Sequence, residues 1–485
     1  MKRAAWFLIL AAMAAALSAA PAQAVGQYTR SNSGMRIPMA DAYRHIRNIM
    51  SFGEVYVENG VEKEISVPEM LNPSDIFIDA DDNLYIADSG NNRIVMTDPE
   101  GRVLKCYDKD SGYGFNRPCG IFVDRDGDLF VSDTDNNRIV HIGRDGGIIE
   151  EFLKPDSNLI DETQLFQPTK LAIGPTGYIY VTMYEKLISI DAYNAFRGYV
   201  GQTKVRFSVV NLFVRWFASA EMKATVTRPV APAVTGIFID EDGMIYCTTK
   251  DHEYGEIKKF NLIGNNIYPE KAYGEIDWFS GYPSFAGITV DKAGIITVVE
   301  ENTGKIYQYD QSGNLITVFG GLGASNGYFQ KPSGIAQDSL GNIYVLDFAA
   351  CMVQVFGPTD FINMVHEAIG LSEDARYREA MEIWRTIERI NRNYPLTNLG
   401  IAKALYKEGS YYDAMAYYKK ANDRAGYSDA YEKYRNQNTR RSFTLAVVLA
   451  AVCAAAFIVY VSLLKRASKS ILAKYFRYRR GSGDA

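Results

Sequence analysis

The chain has 485 residues, of which 47% are hydrophobic and 22% are charged. This is the composition of a folded globular protein, and the length allows two or three domains, so a wholly disordered chain is excluded. The formal net charge of -5 gives no broad positive field. Nucleic acid is therefore not an expected partner.

The chain begins with a pattern that is typical of a secretory signal peptide. Lys2 and Arg3 precede an apolar run, which ends in small residues with Ala22 and Ala24 at the positions that a signal peptidase accepts. We predict that residues 1–24 are a signal peptide. Residues 25–357 then form the first folded domain.

Cysteine usage indicates neither a metal site nor a disulfide framework. The five cysteines include no C-x-x-C pair. Cys106 and Cys119 are close enough in sequence for a disulfide bridge. Unpaired or buried thiols are the favoured interpretation, and a bridge between the two remains the alternative.

Between residues 71 and 357 one pattern recurs six times. In each copy a strand ends at an anchor residue, and the next strand is centred six residues later. In five copies a glycine stands three residues after the anchor, where a tight turn needs positive φ. The copies are roughly 45 to 66 residues apart, which is the length of a four-stranded blade, so the sequence predicts a mainly β, six-bladed β-propeller. The six anchors are Asp79, Asp124, Gly174, Asp240, Asp291 and Asp338.

The first two copies resemble NHL repeats. Residues 83–94 read NLYIADSGNNRI and residues 128–139 read DLFVSDTDNNRI, whereas the third to fifth copies lack the Asn-Asn-Arg signature. The resemblance implies a propeller of the NHL type. NHL propellers with a terminal membrane span also resemble bacterial proteins that are associated with carbohydrate transporter systems, which implies a membrane transporter component as a partner.

The sixth copy ends after its third strand, near Phe356, so a closed ring needs a fourth strand from elsewhere in the chain. We predict that the segment at residues 54–57 supplies it.

The interval between the third and fourth copies contains an insertion, residues 205–226. Its apolar residues recur at helical spacing and cover more than half of the circumference, which predicts a helix. Folding of this helix back onto the propeller is the favoured interpretation. The alternative is an exposed helix that docks a partner through Phe213, Trp216 and Phe217.

Residues 358–438 carry small and aromatic residues that recur at a period of about 34 residues, which is the period of tetratricopeptide repeats. The pattern predicts an α-helical segment that resembles about two such repeats. A stalk is favoured over a peptide-binding surface, because two repeats are too few for a large groove.

Residues 442–464 form an uncharged apolar stretch. At about 1.5 Å per residue it is long enough to cross a hydrocarbon core of roughly 30 Å, so we predict one transmembrane helix. The tail at residues 465–485 is rich in lysine and arginine, which places it in the cytoplasm by the positive-inside rule. The large N-terminal part then lies outside the cytoplasm.

Four of the six copies carry an acid at one equivalent position. A ring of equivalent carboxylates could bind a cation or a polyol, so these residues are the candidate ligand-binding residues. The favoured alternative is structural, because a base follows five residues after three of them, an interval that suits pairing across a hairpin. The acids are Asp88, Asp133, Glu300 and Asp347, and the bases are Arg93, Arg138 and Lys305.

The sequence assigns no catalytic residue and no metal ligand. Of the four histidines, only His141 and His252 lie within repeat copies, so a histidine cluster for a metal is not expected. Residues 124–128 resemble the start of a calcium loop but lack the closing glutamate, which favours a β-turn. No cofactor is predicted, although the channel could hold a divalent cation.

The favoured function is a membrane-anchored propeller outside the cytoplasm that acts as a module for binding or scaffolding a ligand or a protein. The alternative is a metal-dependent hydrolase or lyase of the lactonase kind that uses the propeller channel.

Overall fold

The computed structural model describes residues 26–481, apart from residues 32–33, 54, 59, 66–67, 158, 161–162, 202–232, 253–254 and 278. The predicted signal peptide at residues 1–24 and the predicted helical insertion at residues 205–226, with its docking residues, lie outside the described residues. The chain divides into two compact units, Met1–Thr397 and Asn398–Ala485.

In the described part of the first unit, six antiparallel sheets each begin with an innermost strand, and a seventh sheet is a separate two-stranded hairpin. Neighbouring innermost strands contact one another in chain order, and the last contacts the first, so the ring is closed. The predicted six-bladed, mainly β propeller is confirmed. The innermost strands are β6 (Asp75–Ile78), β10 (Pro118–Val123), β14 (Pro168–Ile173), β18 (Val234–Ile239), β21 (Phe285–Val290) and β25 (Pro332–Gln337).

The outer strands of each blade follow its innermost strand in sequence order. Blade 1 adds β7 (Leu84–Asp88), β8 (Arg93–Thr97) and β9 (Val103–Tyr107). Blade 2 adds β11 (Leu129–Asp133), β12 (Arg138–Ile142) and β13 (Ile148–Phe152). Blade 3 adds β15 (Ile179–Met183), β16 (Lys186–Ile190) and β17 (Phe196–Tyr199). Blade 4 adds β19 (Ile245–Thr249) and β20 (Ile257–Phe260). Blade 5 adds β22 (Ile296–Glu300), β23 (Lys305–Tyr309) and β24 (Leu315–Gly320), and blade 6 adds β26 (Ile343–Asp347) and β27 (Met352–Pro358).

The core lies between the blades. Successive side chains of a strand point to opposite faces of its sheet, so each blade offers apolar side chains to both neighbours. Between blades 1 and 2, for example, Tyr85 and Ile94 pack with Val131 and Val140. Burial of apolar area at about 25 cal/mol per Å² on both faces of every blade stabilises the ring.

The turn after each innermost strand has the predicted backbone. Gly127 adopts φ +84°, and in the first copy, which lacks the glycine, Asp82 takes the left-handed conformation at φ +63°. Aspartate visits this region more readily than most residues. The Asp82 carboxylate accepts the backbone N–H of Ser339 in the blade 6 turn at 2.8 Å, while Asp79 bonds to the backbone of the turn itself.

A strand from the N-terminal part of the chain closes the ring, but it is not the predicted one. The strand β3 (Tyr43–Ile49) pairs antiparallel with β27. The prediction that residues 54–57 close the ring is wrong, because β4 (Val55–Glu58) pairs with β5 (Val61–Glu64) instead. In this strand His45 and Arg47 alternate with the buried Tyr43 and Ile49 on one face, and Arg44 and Ile46 are exposed on the other, so the closing strand has no apolar run.

The N-terminal hairpin extends blade 5. Its strands are β1 (Tyr28–Arg30) and β2 (Arg36–Pro38), and β1 pairs with β24. The carboxylate of Glu275, whose side chain is 5% exposed, receives ion pairs from Arg30 at 2.8 Å and Arg36 at 2.5 Å. These charge-assisted bonds fix the hairpin to the loop that precedes β21.

Five helices follow the propeller, as predicted for residues 358–438 and the span. In the first unit Ala368 and Ala380 are fully buried, and in the second unit Ala402 and Ala414 are fully buried. This burial fits helices that pack closely through small side chains. The likeness to tetratricopeptide repeats and the role as a stalk stay predictions. The helices are α1 (Asp360–Glu373), α2 (Tyr377–Ile390), α3 (Pro395–Lys407), α4 (Tyr411–Lys420) and α5 (Arg424–Gly481).

In the described part of the chain, α5 is the helix that is long and apolar enough to cross a membrane. It includes the predicted span at residues 442–464 and continues into the predicted tail. Its orientation in a membrane stays a prediction.

Candidate ligand-binding channel

The six innermost strands surround a cavity of about 1600 Å³. The cavity is lined by these strands, by the turns that follow them, by Tyr246, Lys259 and Gln311 from farther out in blades 4 and 5, and by His366 and Glu373 of α1. We call the end at these turns the turn mouth, and the end where the innermost strands begin the connection mouth. Helix α1 therefore contributes to the wall at the turn mouth.

The connection mouth is narrow because four innermost strands carry glycine at one level, four residues before the anchor. A Cβ atom on Gly120 would lie 2.0 Å from the carbonyl oxygen of Thr169 in the next blade. At the other three glycines a Cβ atom would also lie within 3.2 Å of an atom of the adjoining innermost strand. The strands approach too closely here for a side chain. The four residues are Gly120, Gly236, Gly287 and Gly334.

The two remaining blades carry Asp75 and Lys170 at this level, the only charged side chains of the six innermost strands as described. The Lys170 ammonium donates to Asp75 Oδ1 at 2.5 Å and to the Ser74 carbonyl oxygen at 3.0 Å. The backbone N–H of Ile121 donates to Asp75 Oδ2 at 3.0 Å. This ion pair joins blades 1 and 3 at the level of the four glycines, so it narrows the cavity at the connection mouth.

At the turn mouth the anchor aspartates stabilise the turns. Asp124 Oδ1 accepts the backbone N–H groups of Asp126 and Asp128, both at 2.9 Å. Asp79 Oδ1 receives the equivalent bonds from Asp81 and Asn83. The interpretation of residues 124–128 as a β-turn is confirmed, since this carboxylate bonds to backbone N–H groups of its own turn.

Two of the predicted ligand-binding carboxylates form buried ion pairs. The side chains of Asp88 and Asp133 are both 0% exposed, and they accept Nε–H bonds from Arg93 and Arg138, each at 2.8 Å. Asp88 also accepts the backbone N–H of Leu71 at 2.7 Å. The structural interpretation of these pairs is confirmed, and neither carboxylate lines the cavity.

The other two predicted carboxylates bind backbone N–H groups. Glu300 accepts the N–H of Ser284 at 3.1 Å, and Asp347 accepts the N–H of Lys331 at 3.0 Å. The predicted pairing of Glu300 with Lys305 is wrong, because the Lys305 ammonium donates to Glu275 at 2.7 Å.

The correct partner of Lys305 could not be read from the repeat, since Glu275 lies in the connection between blades 4 and 5 and has no fixed place in the pattern. The four equivalent carboxylates are thus held apart, each within its own blade. Ligand binding by Asp88, Asp133, Glu300 and Asp347 stays a prediction.

The cysteines form no disulfide in the described structure. Cys106 and Cys119 are both buried and free. Burial raises the pKa of the Cys106 thiol to about 12, so it stays protonated and unreactive at neutral pH. Within the described ranges, no three or more His, Cys, Asp or Glu side chains are grouped closely enough to hold a metal ion.

One cluster at the turn mouth was not predicted from the sequence. His366 of α1 lies with Nδ1 3.7 Å from Asp291 Oδ2 and with Nε2 3.2 Å from Gln308 Oε1. The repeat identified Asp291 as an anchor, but His366 follows the propeller in sequence. The repeat spacing relates residues within the blades and does not extend to a helix that follows them, so this contact could not be predicted from the sequence.

In a comparison with known families, residues 329–356 match the family model of the NHL repeat. The match covers the sixth copy, whereas the resemblance in the sequence was carried by the first two. The chain thus contains a six-bladed propeller, with a match to the NHL repeat in its sixth copy, and helices follow the propeller, as predicted. No curated protein matches the chain.

Several solved structures are similar to part of the chain. A streptogramin B lyase is 15% identical over 61% of this chain and 96% of its own, with a TM-score of 0.40. A virginiamycin B lyase from Staphylococcus aureus is 16% identical over 59% and 95%, with a TM-score of 0.38. A gluconolactonase from Xanthomonas campestris is 13% identical over 60% and 87%, with a TM-score of 0.40. At these identities no activity is carried over to this chain.

Proposed function

We propose that this NHL-repeat propeller is a membrane-anchored binding module that holds a ligand or a segment of a partner protein at the turn mouth. The observation that carries the proposal is the cavity of about 1600 Å³ inside the ring. Ligand sites in proteins are concave, largely formed in advance and lined by a few oriented polar groups. This cavity has that form, and its narrow connection mouth directs access to the turn mouth.

The contacts of the polar groups around the cavity favour binding over catalysis. The anchors Asp79, Asp124 and Asp338 each bond to backbone N–H groups of their own turns. Asp75 and Lys170 neutralise one another. A hydrolase or lyase would need a nucleophile, a base or a metal directed at a substrate, and these carboxylates are already used for structure.

The proposed topology follows the two apolar segments. Residues 1–24 would be removed as a signal peptide, the propeller and the helical segment at residues 358–438 would lie outside the cytoplasm, and the tail at residues 465–485 would lie inside. A green fluorescent protein fused to the C-terminus should then fluoresce. A fusion that is inserted but dark would contradict this orientation.

The insertion at residues 205–226 is proposed as a second contact with a protein partner, such as a membrane transporter component. Its flanks are held by blades 3 and 4, since the N–H of Val200 donates to Leu187 and that of Lys250 to Ala233. Apolar residues at helical spacing would give a docking face with Phe213, Trp216 and Phe217 at its centre. Photocrosslinking from position 216 tests this proposal.

Metal analysis separates the binding module from the lactonase-like alternative. We expect that the full-length chain, purified in detergent, contains less than stoichiometric divalent metal and does not hydrolyse lactones, because no described cluster offers a metal three ligands. The measurements are elemental analysis and a lactone hydrolysis assay before and after chelation. A stoichiometric divalent ion whose removal abolishes hydrolysis would establish the enzyme instead.

A further inference from the structure

The turn mouth of the channel carries an excess of negative charge. Apart from the paired Asp75 and Lys170, the cavity is lined by ten carboxyl side chains and by three cationic ones. The carboxyl side chains come from the turns of five blades and from Glu373 of α1. A carboxylate that accepts backbone N–H groups, as Asp124 does, keeps its charge. A mouth lined mainly by one sign of charge concentrates ions of the other sign, which here are cations.

Two cationic side chains of the chain itself already lie at this mouth. Arg125 of the blade 2 turn reaches the blade 4 turn, where its guanidinium donates to the Glu241 carbonyl oxygen at 3.2 Å and lies 3.8 Å from the carboxylate. The Lys259 ammonium lies 4.9 Å from the centre of the Tyr246 ring and donates to Gln311 Oε1 at 2.9 Å. The mouth therefore accommodates both a guanidinium and an ammonium group.

The wall below the turns is partly aromatic. Phe77, Phe122 and Phe238 each stand two residues before the anchor of their blade, which places them about 7 Å deeper along the strand. All three are half-buried and line the cavity. The ring centroids of Phe77 and Phe122 are 5.2 Å apart. An aromatic ring attracts a cation within about 6 Å of its centroid, and it also packs against the alkyl stem of a lysine or an arginine.

One polar side chain at this depth has no partner. Thr289 holds the same position in blade 5, is 5% exposed and lines the cavity. Its hydroxyl makes no hydrogen bond with any residue in the described part of the chain. Buried polar groups are nearly always hydrogen-bonded, so this hydroxyl marks a place where a bound group completes the bond. Its oxygen can accept a hydrogen bond from an ammonium or a guanidinium group.

We propose that the turn mouth binds a segment of a partner protein that contains lysine or arginine, with one long basic side chain directed past the carboxylates toward the three phenylalanines. This inference rests on the proposed binding function and names the class of its partner. Exposed apolar side chains beside the mouth favour a protein segment over a small cation. Leu340 is 76% exposed, and Leu262 is 69% exposed beside the blade 4 turn, where a Cβ atom on Gly243 would lie 3.0 Å from it.

The test measures the binding of a fluorescein-labelled nine-residue peptide with the repeat Gly-Lys-Val to the full-length chain. Fluorescence anisotropy is recorded in non-ionic detergent at low ionic strength, with empty micelles as the blank. A second peptide carries glutamine in place of each lysine. We expect the lysine peptide to bind at least about tenfold more tightly than the glutamine peptide, and we expect its affinity to fall with added salt, which screens exposed charges.

Removing charge from the mouth should weaken the lysine peptide. The variant combines Asp126→Asn, Glu241→Gln and Asp242→Asn, three exposed residues that line the cavity. Each exposed charge accounts for about a twofold to threefold effect, so the expected loss of affinity is about tenfold. By contrast, Arg125→Gln should raise the affinity about twofold, because it removes a cation that competes for Glu241.

The matched control removes the same charge elsewhere on the propeller. It combines Asp110→Asn, Asp156→Asn and Glu62→Gln, which are exposed and do not line the cavity. Its affinity for the lysine peptide should stay within about twofold of the wild type. If the mouth variant bound no more weakly than this control, or if Arg125→Gln weakened binding, the inference would be overturned.

The remaining outcomes separate the class of partner from the binding function itself. Equal affinity for the lysine and glutamine peptides, or no binding of the lysine peptide at millimolar concentration, would overturn the cationic class. A partner that crosslinks at the turn mouth through an uncharged segment would still support the binding function. Spermine supplies the same ammonium groups without a peptide. We expect it to compete only weakly, and binding as tight as that of the lysine peptide would overturn the choice of a protein segment.

Discussion

Replacing Asp88 by alanine is expected to lower the free energy of unfolding of the propeller by about 3–5 kcal/mol. The side chains of Asp88 and Arg93 are 0% and 4% exposed. The substitution leaves the guanidinium buried without its carboxylate, and it removes the acceptor of the Leu71 N–H and of the Asn91 amide. Denaturant unfolding of the full-length chain, followed by circular dichroism, measures the loss.

The matched control is Glu241→Ala, because Glu241 and Arg125 form an ion pair at 3.8 Å in which the side chains are 83% and 69% exposed. An exposed pair contributes about 0–1 kcal/mol, so this variant should unfold nearly as the wild type does. The double variant with Asp88→Ala and Arg93→Met should recover part of the loss, since no charge is left buried. An Asp88→Ala protein of wild-type stability would refute the structural role and favour the ligand-binding prediction for this carboxylate.

Replacing Gly120 by alanine is expected to cost about 3 kcal/mol or to prevent folding. The new Cβ atom would lie 2.0 Å from the carbonyl oxygen of Thr169, and backbone cannot move aside as the end of a flexible side chain can. The innermost strands of blades 2 and 3 would have to separate at the connection mouth. Thermal unfolding of the full-length chain measures the effect.

The matched control is the same exchange at Gly370, in the interior of α1. Its Cβ atom would lie 3.8 Å from Ala293, an ordinary contact. Glycine is less favourable than alanine inside a helix by about 1 kcal/mol, so Gly370→Ala should unfold at or above the wild-type midpoint. If Gly120→Ala were as stable as the wild type, the close approach of the innermost strands would be wrong.

The number of blades could be predicted from the sequence because each blade repeats the same turn after its innermost strand. An anchor such as Asp124 and a glycine such as Gly127 lie in a single turn. The geometry of the turn fixes their separation in the sequence, so this separation recurs in each copy. The pairing of Asp88 with Arg93 was predictable for the same reason, since both lie on one hairpin.

Contacts between distant parts of the chain do not produce a repeated spacing in the sequence, so they could not be predicted in this way. The closing strand β3 carries charged or polar residues on both faces, so its sequence does not alternate as a half-buried strand does. Lys170 meets Asp75 across two blades, and Lys305 meets Glu275 in a connection, so neither pair has a fixed interval. His366 reaches Asp291 from a helix that follows the propeller. The sequence therefore predicted the blades better than it predicted the channel that they surround.

Site-specific photocrosslinking in intact cells tests most directly whether the turn mouth binds a partner. The crosslinker replaces Leu340, which is 76% exposed and lines the cavity at the turn mouth. The control position is Ile149, which is 57% exposed on the outer strand of blade 2. A third position, Trp216, tests the docking insertion.

We expect a discrete adduct from position 340 that position 149 does not give. The adduct should shrink when Ala80, an exposed residue of the blade 1 turn that lines the cavity, is replaced by tryptophan to obstruct the turn mouth. The same products from positions 340 and 149, or an adduct from position 340 that the tryptophan leaves unchanged, would contradict binding at the turn mouth.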